Sequence, residues 1–96
     1  MSSPKENFKP DLYVVSRIIK TLVDEGPQKK TILSTKTGMS YDNLAKYTEW
    51  MIFKELIEEN GGLLHATDKG IRTYNDLVDW IVTYVGRLKF GKGSEK

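Results

Sequence analysis

The stretch from Met39 to Ile57, MSYDNLAKYTEWMIFKELI, decides the fold. Ser40 is a good start for a helix, because its hydroxyl can accept an otherwise unpaired first-turn N–H. Leu44, Tyr47, Thr48 and Met51 then recur at helical spacing, which sets one inner face, with Leu56 following near the end. The pattern predicts a helix over about residues 40–55. Just upstream, Lys29 to Lys36 carries Ile32 and Leu33 as its large apolar side chains, enough for a second helix of two turns. Thr37-Gly38 makes the tight turn between the two, since glycine takes the positive φ that ends a helix.

Working outward toward the amino terminus, Leu12, Val15, Ile18, Ile19, Leu22 and Val23 form an apolar stripe on a helix begun by Asp11 and stopped by Gly26-Pro27. Residues 1–10 contain two prolines and two serines and read as a flexible arm. Toward the carboxyl terminus, Leu56 to Glu59 and Leu63 to Ala66 flank Asn60-Gly61-Gly62, a hairpin signal that leaves the turn type open. Thr67 caps a last helix expected from Asp68 to about Lys89, and residues 90–96 form a polar, flexible tail. The domain proper is thus expected over residues 11–67, and the last helix over 68–89.

That last helix is the most regular part of the chain. Ile71, Tyr74, Val78, Ile81, Val85 and Leu88 are spaced as an a/d heptad seam, widened by Leu77, Val82 and Tyr84. Such a helix is about 33 Å long at about 1.5 Å per residue, more than a small three-helix core can cover. The whole stripe could pack on the first helix. The preferred reading is that its beginning closes the domain while Val78, Ile81, Val85 and Leu88 pair with a second copy of the chain.

The chain has 96 residues and a mass of 11.0 kDa, room for one domain with a modest core. Its 39% hydrophobic and 29% charged content excludes a disordered tail and a membrane protein. No run approaches the roughly 20 apolar residues of a bilayer span, and MSSPKENFKP lacks the apolar centre of a signal peptide. A cytoplasmic location is expected. Without cysteine there are no disulfides, thiolate metal sites or cysteine nucleophiles. His65 is the single histidine, and Asp76 and Asp79 lack a third ligand, so they read as exposed side chains. No Gly-rich phosphate loop or nucleophile motif appears, and neither enzymatic activity nor a cofactor is expected.

The order helix, short helix, turn, helix, hairpin, helix is that of a winged helix-turn-helix domain. Residues 39–57 resemble the recognition-helix segment of MarR-like and related archaeal winged-helix regulators: an apolar Met39, Ser40, three variable residues, Leu44, and apolar positions ending in Leu56-Ile57. IEENGGLLHATDKG, residues 57–70, resembles their wing and the Thr-Asp-Lys-Gly start of their last helix. The likeness runs from Asp11 to Leu88 and is nearest to the small dimeric archaeal DNA-binding proteins of about ten kilodaltons. It implies a mainly α fold with a small β-hairpin, and a carboxyl-terminal helix that forms an antiparallel coiled coil with its twin. Two positions depart from the family pattern. Glu55 stands where the family often has glycine, and the wing carries Glu58 and Glu59 with no lysine or arginine from Asn60 to Asp68.

With 15 basic and 13 acidic residues the net charge is only +2, weak for a nucleic-acid binder. The distribution matters more. Residues 11–39 hold Arg17, Lys20, Lys29, Lys30 and Lys36 against three acids, whereas residues 58–70 hold Glu58, Glu59 and Asp68 against Lys69. Basic charge therefore lies with the helix-turn-helix and acid with the wing. The expected contacts to double-stranded DNA are Lys29, Lys30, Lys36 and Thr37 on and after the second helix, and Ser40, Tyr41, Asn43 and Lys46 at the start of the third. These are side chains that can bond phosphate and base edges, and Asn43 can meet adenine with both amide groups. Trp50 and Ile52 are expected in the core, and Phe53 is the better candidate for another contact. The expected function is a dimeric duplex-DNA-binding protein, a transcription regulator or a chromatin-type protein. The competing reading is a protein-interaction module using Trp50, Phe53 and the last-helix seam.

Overall fold

The computed structural model describes residues 8–84, which form helices α1 (Leu12–Glu25), α2 (Lys30–Thr37) and α3 (Tyr41–Phe53), strands β1 (Ile57–Asn60) and β2 (Leu63–Ala66), and helix α4 (Asp68–Tyr84). Helix α1 starts where an aspartate can cap it: the Asp11 carboxylate accepts the Tyr13 N–H at 2.8 Å. Val15, Ile18, Ile19 and Leu22 are buried, but Leu12 and Val23 at the two ends of the expected stripe are half exposed. The core stripe is therefore narrower than the periodicity suggests. Gly26, at φ 84°, donates its N–H to the Leu22 carbonyl and turns the chain out of the helix.

Helix α2 contributes Leu33 to the core, while Ile32 points outward. It ends in a left-handed Gly38, φ 72°, and the Gly38 and Met39 N–H groups take up the last carbonyls, at Thr35 and Ser34. Only Gly38, Met39 and Ser40 separate it from α3. Leu44, Thr48 and Met51 form the buried face of α3, and Tyr47 is half buried. The Tyr47 hydroxyl accepts the Asp11 N–H at 2.9 Å, which ties α3 to the start of α1. Phe8 stands edge-on to Tyr47 at 4.9 Å and lies 6.2 Å from Trp50, so the end of the amino-terminal arm is anchored on α3.

The strands pair antiparallel with Ile57 opposite Ala66 and Asn60 opposite Leu63. Gly61 and Gly62 both have positive φ, 60° and 81°, as a two-residue type I′ turn requires. Gln28, between α1 and α2, exchanges both backbone hydrogen bonds with Leu64 and so acts as a one-residue third strand on the other side of β2. This pairing fixes the wing to the helices.

Thr67 starts α4 with two bonds: its hydroxyl accepts the Gly70 N–H at 2.9 Å and donates to the Glu55 carbonyl at 2.7 Å. Gly70 is the sole fully buried residue of the described part of α4. The ten apolar core residues all lie before α4, which packs on α1 and β2 from outside, with Tyr74 reaching the core edge. Residues 85–89 of the expected helix lie outside the described residues. No described helix is long and apolar enough to cross a membrane.

Candidate nucleic-acid interface

The exposed side of α3 is what remains after Leu44, Thr48 and Met51 are turned inward. Successive residues rotate by about 100°, so Tyr41, Asp42, Asn43, Lys46, Glu49 and Phe53 are left outside. The Ser40 hydroxyl accepts the Asn43 N–H at 3.1 Å and so fixes the amino end of the helix, beside Tyr41 and Asn43. Lys46 lies one turn on from Asn43 and has no ion-pair partner among the described residues. Four of the expected contact residues, Ser40, Tyr41, Asn43 and Lys46, thus occupy one exposed surface at one helix end.

Phe53 is half exposed and Trp50 is partly buried against the core edge. The Lys54 ammonium lies 5.5 Å from the Phe53 ring centre and 6.0 Å from that of Trp50, within the range of a cation–π contact. Trp50 and Ile52 pack on the core as expected.

The second group lies on α2. Lys29 occupies the cap position with extended backbone, and no side chain caps the helix, so the first-turn amides have no side-chain acceptor. Lys30 follows in the first turn and Lys36 in the last, about 9 Å apart along the axis at about 1.5 Å per residue. Neither is isolated. Lys30 faces Glu59 of β1 at 4.0 Å, and Lys36 bonds Glu25 at the end of α1 at 2.7 Å. Lys20 is similarly held by Asp24 at 2.5 Å, and that hydrogen bond and charge raise its pKa. Lys29, like Lys46, has no such partner among the described residues.

Thr37 departs from expectation. It is buried, and its hydroxyl donates to the Leu33 carbonyl at 2.8 Å, one turn back. Its own carbonyl accepts from Arg17 Nη1 at 3.2 Å, placing a cation at the negative end of α2. Its side chain closes the helix end and has no surface to offer a ligand.

On α4, Val78 is exposed and Ile81 half buried; Val85 and Leu88 of the expected seam lie outside the described residues. The structure adds a residue that heptad counting passes over. Trp80 is 54% exposed and its ring centre lies 5.2 Å from that of Tyr84. With Leu12, Tyr13, Leu77 and Ile81 it lines an open apolar cleft of about 310 Å³ between α1 and α4. The signal for it was present, since Leu77, Trp80, Ile81 and Tyr84 are themselves at helical spacing. Likewise, the Lys30–Glu59 and Lys36–Glu25 contacts join residues distant in the chain, where no local pattern announces them.

Three helices, a helix-turn-helix between the second and third, and a two-stranded wing define a class of DNA-binding domain. A family model described as winged helix-turn-helix matches residues 11–83, and the chain belongs to that family. No curated protein matches the chain.

Proposed function

We propose that the chain binds double-stranded DNA as a homodimer and acts in transcription regulation, with α3 entering the major groove, the α2 lysines on the phosphate backbone, and α4 pairing with its counterpart. The observation that carries the reading is the amino end of α3. There, a serine-capped helix joined to α2 by a three-residue turn offers Tyr41, Asn43 and Lys46 together on one exposed surface. Recognition helices approach base edges with this end, and Asn43 has the paired donor and acceptor that adenine presents in the major groove. Dimerisation is supported by the exposed apolar side chains Val78 and Val82 on the seam side of α4, which a solvated monomer gains nothing by displaying; Trp80 and Tyr84 are exposed on a different side, next to the cleft with α1. In a twofold dimer the two α3 helices meet half-sites about 34 to 36 Å apart, or a multiple of that.

A salt series on duplex DNA tests the reading. Affinity falls steeply between about 50 and 200 mM salt if lysines displace counterions from phosphate. Binding that is absent at low salt, or indifferent to salt, removes the DNA model. One observation favours a second reading, a protein-interaction module. The exposed side of α3 also carries Asp42 and Glu49, which oppose phosphate, and Phe53, which suits a protein partner. Replacing Lys30 and Lys46 together by alanine separates the two, since it weakens DNA binding with little change in the thermal midpoint only if the first reading holds.

A further inference from the structure

Two of the three lysines expected on the DNA backbone from α2 already have an anion in the free protein. Lys30 faces Glu59 from the wing strand, and Lys36 bonds Glu25 from the end of α1. The two carboxylates come from different elements and reach opposite ends of the same short helix. All four side chains are partly open to solvent, so water and ions screen the pairs and either can exchange its partner.

We infer that Glu25 and Glu59 serve as internal counter-anions on the DNA-binding surface: each occupies a lysine that a DNA phosphate must take over, and together they set the strength of backbone binding. The proposal rests on the DNA-binding reading given above. It gives the acidic wing a role. Where a basic wing adds phosphate contacts, this one withholds a cation from the neighbouring helix, which lowers binding to any sequence alike and leaves discrimination to the α3 residues. Lys29 and Lys46, with no ion-pair partner among the described residues, are then the first cations available to DNA.

The competition has a signature that net charge alone lacks. An exposed ion pair is weak, so releasing one lysine is expected to raise DNA affinity only about two- to fivefold. Glu59→Gln and Glu25→Gln are each expected to give that gain at constant salt, and about tenfold together if the pairs are independent. Asp76→Asn changes the net charge equally on α4 and is the control, expected to give a smaller gain. In a Lys30→Ala background the gain from Glu59→Gln should fall to that of the Asp76→Asn control, and in a Lys36→Ala background so should that from Glu25→Gln.

Titration of labelled duplex DNA at fixed salt reads all of these, with circular dichroism melting to show that the variants are folded. Equal gains with and without the partner lysine would overturn the proposal, because they would reflect simple repulsion between carboxylate and DNA. So would no gain while the parent protein binds DNA. If neither the parent nor any variant binds duplex DNA at low salt, the DNA-binding reading itself is lost, an outcome distinct from the other two.

Discussion

Glu55 is the one described residue other than glycine with positive φ, at 65°. It closes α3 in a Schellman arrangement: the Leu56 N–H reaches the Met51 carbonyl at 2.8 Å and the Glu55 N–H reaches Ile52 at 2.9 Å. The left-handed position costs a side-chain-bearing residue about 1 to 2 kcal/mol, while glycine there gives back part of the gain in backbone entropy. Glu55→Gly is therefore expected to stabilise by about 0.5 to 1 kcal/mol, a rise in midpoint of a few degrees at fixed protein concentration. The Thr67 bond survives, because it uses the Glu55 backbone carbonyl. An unchanged or lower midpoint would show that the Glu55 side chain makes up for the strain. Gly70 is the opposite case. A Cβ there would sit 1.9 Å from the Leu56 carbonyl oxygen, a backbone atom that no rotamer change can move. Gly70→Ala gains roughly 1 kcal/mol of helix propensity but forces α4 away from the Leu56 backbone that leads into β1, so a net loss of about 1 to 3 kcal/mol is expected in the same melting experiment. The departure at Glu55 was legible from the sequence as a turn in want of glycine. The reason for Gly70 was not, since it lies in a contact between residues far apart in the chain.

Among the elements, those with a strong period or a capping residue were legible. Asp11 and Ser40 cap where expected, and α1 and α3 bury the expected faces apart from the two ends of the α1 stripe. What periodicity cannot reveal is pairing between elements. Gln28 joins β2 through a single residue, too short for any alternation, and the carboxylates opposite Lys30 and Lys36 come from β1 and α1. The burial of Thr37 was hidden for a related reason: a threonine beside a turn glycine looks polar and exposed until its hydroxyl is seen bonded back to its own helix. At α3, stability and binding can be separated. Ser40→Asp keeps an oxygen to cap the Asn43 N–H and adds a negative charge that the helix start favours, so the midpoint is expected to hold or rise. In the proposed DNA complex the same charge would face phosphate, and a loss of about tenfold in affinity, ~1.4 kcal/mol, is expected. Unchanged affinity in the titration would take the amino end of α3 off the DNA.

For the molecule as a whole, the distribution of apolar residues is the clearest asymmetry. Helices α1 to α3 and the hairpin bury a complete core, whereas α4 buries only Gly70 and shows Val78, Trp80, Val82 and Tyr84 to solvent. A second copy on the seam side of α4 would cover Val78 and Val82, and it would double a net charge of only +2, which matters for a protein proposed to bind DNA through few free cations. Ile81 is a poor probe of this interface, since it also lines the cleft with Leu12 and Tyr13 and its loss would disturb the monomer. Val78 avoids that difficulty: it is exposed, does not line the cleft, and lies on the same heptad seam as Val85. Lysine is a better helix former than valine, so Val78→Lys leaves α4 at least as helical, and with Val85→Lys it places charge along the seam read from the sequence. Sedimentation is expected to give a particle of about twice 11.0 kDa for the parent and a single 11.0 kDa chain for the double variant. The variant's midpoint should no longer rise with protein concentration. Its affinity for a two-half-site duplex should fall toward that for one half-site despite four added positive charges per pair of chains, because the two helices are no longer linked. A double variant that still sediments as a dimer would move the interface off the Val78–Val85 seam.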